Sequence, residues 1–276
     1  MTDEHIPFFR AIAANPADDL PRLVFADFLE ETGEELEIAR AQFIRAQIAM
    51  TQLSPGSPEF RETDALQAQL LEIYRDEWIW DLPRHLHLGG NPIWRRGCID
   101  FVRFKWYEFV EFSPWLETVP VNRAQITEVR TRRGITTKTL DSIPLVRQLT
   151  HLKLGPNMNP IGLEVFLGID DEQGTLSSLL LEARSFAALT HLDLSDNTIG
   201  NSALTQFILR FETSAFAPTL KELDLYNIRG LDDAVGNALA TARGFESLER
   251  LILKRTELSE PVRAMLRRRF GERVVF

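Results

Sequence analysis

The chain has 276 residues, 44% hydrophobic and 26% charged, with 31 Lys and Arg against 40 Asp and Glu, a formal net charge of −9. That length suits one large domain or two modest ones and excludes a disulfide-stapled miniprotein; the acidic sign argues against a general nucleic-acid coat or a protein held on anionic lipid. The single cysteine, Cys98, excludes an internal disulfide and a Cys-based zinc site and suits a reducing cytoplasm. No run of about 18 apolar residues suggests a transmembrane helix. Residues 1–15 open with acids, so no signal peptide is expected.

The charge divides unevenly. Residues 1–80 hold 6 basic and 16 acidic residues, whereas residues 81–276 hold 25 and 24, which predicts two modules with different surfaces. The first reads as a small α-helical bundle. Phe8, Phe9 and Ile12 form an apolar stripe that ends near Asn15-Pro16. Asp18 and Asp19 before Leu20-Pro21 predict a helix start, and Thr32-Gly33 predicts its end. A third helix is expected over about residues 35–53, with Ile38, Phe43, Ile44, Gln47 and Ile48 near one face. Ser54 to Pro58 is a break, a fourth helix follows over about residues 59–76, and Trp78 and Trp80 are docking residues. Asp27 interrupts the stripe of the second helix. It reads either as a carboxylate poised in a pocket or as a partly buried acid that is paired with an arginine such as Arg22 or Arg45 or caps backbone amides.

The second module repeats. Leu149-Thr150-His151-Leu152-Lys153-Leu154-Gly155-Pro156-Asn157 and Leu189-Thr190-His191-Leu192-Asp193-Leu194-Ser195-Asp196-Asn197 both fit L-x-x-L-x-L-x-x-N. Leu220–Leu225 and Leu248–Leu253 repeat the first half, and weaker copies read at Ile99–Phe104 and Ile126–Thr131. The fourth positions, residues 102, 129, 152, 192, 223 and 251, are spaced by 27, 23, 40, 31 and 28. This predicts an α/β leucine-rich-repeat solenoid, with parallel strands on a concave face and helices on a convex one, and the N-terminal α-helical module as its cap. Asn157 and Asn197 should bond backbone groups where the chain leaves each strand, with Thr256 a weaker stand-in and Ile228 unable to serve. Helical stretches are expected at Trp106–Trp115, Ile161–Leu167, Ala203–Phe211 and Ala234–Thr241. In the 40-residue unit, residues 170–174 read as a solvated loop in preference to a cation site, since its three acids lack further spaced oxygen ligands. A helix over Pro261–Phe270 and the tail Val274-Val275-Phe276 should close the far end, with Arg263, Arg267, Arg268, Arg269 and Arg273 complementing a helix C-terminus or binding an anion.

The stretch from Ala14 to Gly33, with Ala39-Arg40-Ala41-Gln42-Phe43-Ile44-Arg45-Ala46-Gln47, resembles the bacterial repeat-companion domain, abundant in planctomycetes, where it precedes leucine-rich repeats. Arg95-Arg96-Gly97-Cys98-Ile99-Asp100 is similar to the strand that follows that domain. Gln42 departs from the acid usual in the family. The resemblance implies ribonuclease-inhibitor-like repeats and carries no established enzymatic activity or ligand. Its domains would be residues 1–80 and 81–276.

No nucleophile elbow, phosphate-binding glycine loop or zinc-protease motif occurs, so no catalytic residue, cofactor or metal is expected. His85 and His87 lack a third metal ligand at a recognisable spacing, and Cys98 reads as buried. Partner binding is expected on the outward strand positions. The first row is Phe101, Glu128, His151, His191, Glu222 and Arg250; the second is Arg103, Arg130, Lys153, Asp193, Asp224 and Ile252; the third is Lys105, Arg132, Gly155, Ser195, Tyr226 and Lys254. Early strands are basic, the fourth and fifth acidic, the last mixed. His151 and His191 should be neighbours if the long unit adds no strand between them, and their protonation should weaken partner binding below about pH 6.5. The expected function is a cytoplasmic, non-enzymatic protein-interaction module. The alternatives are an anionic ligand or nucleic acid on the basic early strands, or an accessory subunit whose acidic helical module docks a basic partner.

Overall fold

A computed structural model of the chain describes residues 3–79, 93–108, 110–111, 120–128, 136–158, 163, 166–167, 169–170 and 176–276. They divide into two compact units, Met1–Val102 with Pro114–Asn122, and Arg103–Ser113 with Arg123–Phe276. Trp80, His85, His87 and residues 112–115 and 171–174 fall outside the described residues.

The first unit is built on four helices, α1 (Ile6–Ala14), α2 (Leu20–Thr32), α3 (Glu35–Met50) and α4 (Pro58–Ile79). The start of α2 is secured by Asp18, whose Oδ1 accepts the Leu20 N–H at 3.0 Å, while Pro21 occupies the first turn. Gly33 ends it at φ 75°, with its N–H on the Glu30 carbonyl. Phe9, Ile12, Phe25, Ala26, Leu29, Ala41 and Ile44 share one buried cluster with Cys98, and Phe43, Leu70 and Trp78 share another. Cys98 belongs to strand β2 (Cys98–Lys105), which pairs antiparallel with β1 (Ile93–Arg95), so the compact helical unit continues past residue 80. The hairpin turns through Arg96 and Gly97, both at positive φ, and the Gly97 N–H reaches Gln47 Oε1 at 2.8 Å. A Cβ on Gly97 would collide with Ile44.

Asp27 is not buried. Its carboxylate lies two-thirds exposed and is held by Arg45 Nη2 at 2.7 Å, with Glu30 on the same guanidinium at 2.8 Å. These two acceptors, the Asp27 bond foremost, raise the affinity of Arg45 for its proton. The apolar stripe of α2 lies on Phe25, Ala26 and Leu29, which leaves position 27 turned outward. The ion pair with Arg45 is as expected; the burial is not.

The second unit is α/β. Its strands are the end of β2, then β3 (Arg123–Glu128), β4 (His151–Leu154), β7 (His191–Asp193), β8 (Glu222–Asp224), β9 (Arg250–Ile252) and β10 (Val274–Val275), with β5 (Ile169–Asp170) and β6 (Leu176–Ser177) forming a separate antiparallel pair. Within the second unit the sheet order from β3 is β3-β4-β7-β8-β9-β10, without reversal of chain order, and every neighbouring pair is parallel. The register matches leucine to leucine, with Leu152, Leu192, Leu223 and Leu251 side by side and all at most 1% exposed. Each such burial contributes about 1.5–3 kcal/mol. The 40-residue unit therefore adds the β5–β6 hairpin outside the main sheet, and β4 and β7 remain neighbours.

Helical connections separate the strands: α5 (Thr137–Asp141), α6 (Pro144–Gln148), α7 (Leu179–Glu182), α8 (Asn201–Leu209) and α9 (Asp233–Thr241), with α10 (Glu260–Phe270) before β10. Polar caps start several of them; Asp232 Oδ1, for instance, takes the Ala234 N–H at 2.9 Å. The basic end complements carbonyls. Arg269 donates to the Leu239 and Ala242 carbonyls at the end of α9, and Arg273 Nη1 to the Leu248 carbonyl at 2.8 Å.

Asn197 behaves as its position in the repeat predicts. It is 1% exposed, its Nδ2 donates to the carbonyls of Leu154, Leu194 and Ser195, and its Oδ1 accepts the Met158 N–H. Thr256 Oγ1 likewise donates to the Leu253 carbonyl, and Ile228 is simply buried. Asn157 corrects the expectation, because it is exposed and has φ 53°. In the later units the left-handed position falls on Asp196, Asn227 and Arg255, one residue before the asparagine position. In the first of these units that place is Pro156, whose ring forbids positive φ, so the left-handed residue moves to Asn157. No helix among the described residues is long and apolar enough to cross a membrane.

Candidate functional site

The outward residues of the parallel strands form rows fixed by the register. Arg123, His151, His191, Glu222 and Arg250 stand side by side, followed by Lys153, Asp193, Asp224 and Ile252; Gln125, in register with Lys153, is 3% exposed and its Nε2 donates to the Gly155 carbonyl. Beyond the strands the ladder continues from Asp196 N–H to the Tyr226 carbonyl and from Asn227 N–H to the Lys254 carbonyl, which brings Tyr226 and Lys254 into a third row.

The third strand differs from its sequence alignment. Arg123, not Glu128, is opposite His151, and Gln125 is opposite Lys153, a shift of five residues. Val121-Asn122-Arg123-Ala124-Gln125-Ile126 is the true copy of the repeat, with Val121, Ala124 and Ile126 all at most 1% exposed. Alanine at the fourth position hid it, since the larger Val129 five residues on looked the better match. Arg130 and Arg132 lie outside the described residues. Arg103 is exposed and donates from Nε to Gln125 Oε1 at 2.8 Å; Lys105, half-buried, ends β2 with its backbone N–H on Glu108 Oε2.

The two histidines stack, with ring centroids 3.9 Å apart and planes 8° from parallel. Thr150 Oγ1 lies 2.9 Å from His151 Nδ1 and Thr190 Oγ1 lies 2.8 Å from His191 Nδ1. Thr190 spends its one proton on the Thr150 carbonyl, so the hydrogen-bond network assigns the His191 proton to Nδ1, with Nε2 left as an acceptor. Burial holds His191 below the usual imidazole range, reinforced by Arg123 and Lys221 and opposed by Glu222 and Glu249.

Lys153 Nζ lies 2.7 Å from Asp193 Oδ2 and 2.9 Å from Ser195 Oγ, while Asp193 Oδ1 accepts the Ser195 N–H. The basic and acidic bands therefore meet and partly neutralise each other at β4 and β7. Burial pushes the Asp224 carboxyl up, with Asp193 and Glu222 adding to it and the Tyr226 N–H and Lys153 opposing it. Glu222 faces Arg250 at 3.6 Å. Tyr226 lies beneath Arg255, whose guanidinium carbon is 5.5 Å from the ring centroid.

The arrangement supplies polar, half-exposed side chains at a regular inter-strand spacing, with an aromatic ring and cations at its later end. The register brings together His151, Lys153, His191, Asp193, Glu222, Asp224 and Tyr226 from the sequence-derived set. It adds Arg123 and Arg255, which the alignment missed. The signal for Arg123 was present in the Val121-to-Ile126 spacing; that for Arg255 was not, because its part depends on the left-handed turn at that residue. No family model matches the chain, and no curated protein matches it.

Proposed function

We propose that the chain is a cytoplasmic, non-enzymatic protein-interaction module. Its second unit is a ribonuclease-inhibitor-like leucine-rich-repeat solenoid, its first is a repeat-companion module, and a protein partner is held on the outward strand rows. The observation that carries this reading is the in-register row of polar side chains on consecutive parallel strands, from Arg123 through the stacked His151 and His191 to Glu222 and Arg250. Repeats stacked in chain order build an extended surface of this kind, and alternating charge along it selects a partner of complementary banding. Lys153, tied to Asp193 and Ser195, favours a mixed protein surface over a polyanion.

The test is affinity capture from the native host, followed by reconstitution with the purified captured protein. Wild type, a Lys153→Glu/Asp224→Lys variant and an Arg268→Gln control should be compared. The reading expects the face variant to lose the partner at least tenfold while the control, on α10, keeps it. A partner that ignores the face variant overturns the reading. A captured nucleic acid whose affinity falls steeply with salt would replace it by the anionic alternative.

A further inference from the structure

The middle of the first strand row is occupied by two titratable rings in contact. His151 on β4 and His191 on β7 are in register, with centroids 3.9 Å apart and planes 8° from parallel. His191 keeps its Nδ1 proton on Thr190 Oγ1, because that hydroxyl has already given its own proton to the Thr150 carbonyl. A further proton on this ring can arrive only at Nε2. That atom holds no hydrogen bond among the described residues and is not closed off from solvent. Protonation there converts an acceptor into a donor and adds a positive charge.

The charges around the pair decide how it titrates. Arg123 on β3 stands beside His151, and Glu222 on β8 stands beside His191. Lys153 is tied to Asp193, Arg250 on β9 faces Glu222 at 3.6 Å, and Lys221 pairs with Glu249 at 3.0 Å. Asp224 lies one row on, beside Asp193. Two imidazoliums at the stacking distance repel, so the pair accepts one proton well before a second. Both rings are half-buried, and the charges beside them separate the two. Arg123 opposes a charge on His151 and Glu222 favours one on His191, so the first proton belongs to His191. Burial keeps that step below the usual imidazole range.

We propose that the His151–His191 stack is a one-proton switch in the strand rows, which holds a partner while neutral and releases it when His191 Nε2 is protonated. The inference rests on the reading of this face as the partner-binding one. A partner that fits the neutral row donates a hydrogen bond to Nε2 and sets a positive group against Glu222. The added proton removes the acceptor, and the new imidazolium competes for the same carboxylate.

The test begins with ring-nitrogen NMR of the full chain between about pH 8 and 5. His191 should rest with its proton on Nδ1 and gain one at Nε2, with a midpoint below about 6.5. Glu222→Gln should lower that midpoint by about half a unit or more. His151 should stay largely neutral down to about pH 5 and titrate about one unit higher or more in His191→Gln. A resting proton on Nε2, or midpoints unmoved by both substitutions, overturns the proposal. The protein captured on the strand face is then bound at about pH 7.5 and about pH 5. Wild type should lose about threefold or more in affinity, and His191→Gln should flatten that loss whatever its affinity at the higher pH. Asp224, His5 and the partner's own groups still titrate in His191→Gln, so an undiminished loss there overturns the switch. A partner lost to Lys153→Glu/Asp224→Lys but held equally at both pH values also overturns it and leaves the interaction reading standing. A partner indifferent to that face variant overturns both.

Discussion

The two units treat positive charge in opposite ways. The first is the acidic third of the sequence, yet its interior holds cations: Arg22 is 3% exposed and donates to the Asp18 carbonyl, and Arg40 sits 5.8 Å from the ring centroids of both Phe9 and Phe25. His5 meets Phe25 edge-on within the same group, with Glu37 at 3.3 Å. On the strand rows of the second unit the charges stay half-exposed or exposed, and Lys153 with Asp193 and Arg250 with Glu222 pair sideways. A buried guanidinium has lost its water and is retained by rings and carbonyls, so it dictates packing. A charge on a strand face keeps part of its water, less of it at Asp224 than elsewhere, and one side remains available to a partner. Segmental net charge, −10 against +1, says nothing of this difference.

The contrast can be broken by substitution, and the largest effect should come from neither kind of charge. Asn197→Ala strips three carbonyls and one N–H of their partner and should cost about 3 kcal/mol in urea denaturation. A loss under about 1 kcal/mol would mean that the turns are satisfied by other means. Next, Arg22→Ala should destabilise the first unit by about 2 kcal/mol through lost packing and the missing bond to Asp18. If it proves neutral, the buried cations are tolerated rather than used.

The stacked histidines supply a smaller, pH-dependent effect. Folding lowers the His191 pKa, so the unfolded chain takes up the proton first. The contribution of a neutral His191 is complete above its unfolded pKa of about 6.5 and is lost as pH falls from there toward the lower folded value. After discounting for solvent screening it should amount to less than about 1 kcal/mol. Urea midpoints at about pH 7.5 and 5.5 should therefore differ more for wild type than for His191→Gln; equal differences would show that burial at this ring is not what governs the slope. Smallest of all, Lys153→Ala should cost only about 0.5 kcal/mol, since its pair with Asp193 is about 30% exposed on both sides. A cost matching that of Arg22→Ala would erase the distinction between the units.

Much of the architecture was legible in residue spacing. Leucines at the first, fourth and sixth positions fix which side of a short strand is buried, so β4, β7, β8 and β9 and the side-by-side histidines followed directly. Gly33, Asp18 and Pro21 bounded α2 through local backbone chemistry, and Asn197 and Thr256 marked the strand exits for the same reason. The candidate surface was readable wherever the strand register was readable, and β3 shows the limit. Alanine at position 124 buries as well as leucine when its neighbours fill the space, but it carries too weak a hydrophobic signal to set a register.

Sequence by itself thus determined which residues could be strand core, helix start or turn, because each depends on contacts between near neighbours. Tertiary structure alone decided what depends on distant ones. Arg123 reached His151 through pairing with the next strand, and Arg40 was buried where the Phe9 and Phe25 rings of other helices lie against its guanidinium. Ser185 lost its water only when α5, α6 and the 3-10 helix Arg184–Ala188 met. Desolvation is the physical reason common to these cases: whether a polar group keeps its water is set by what packs over it, and that is not written in the residues beside it.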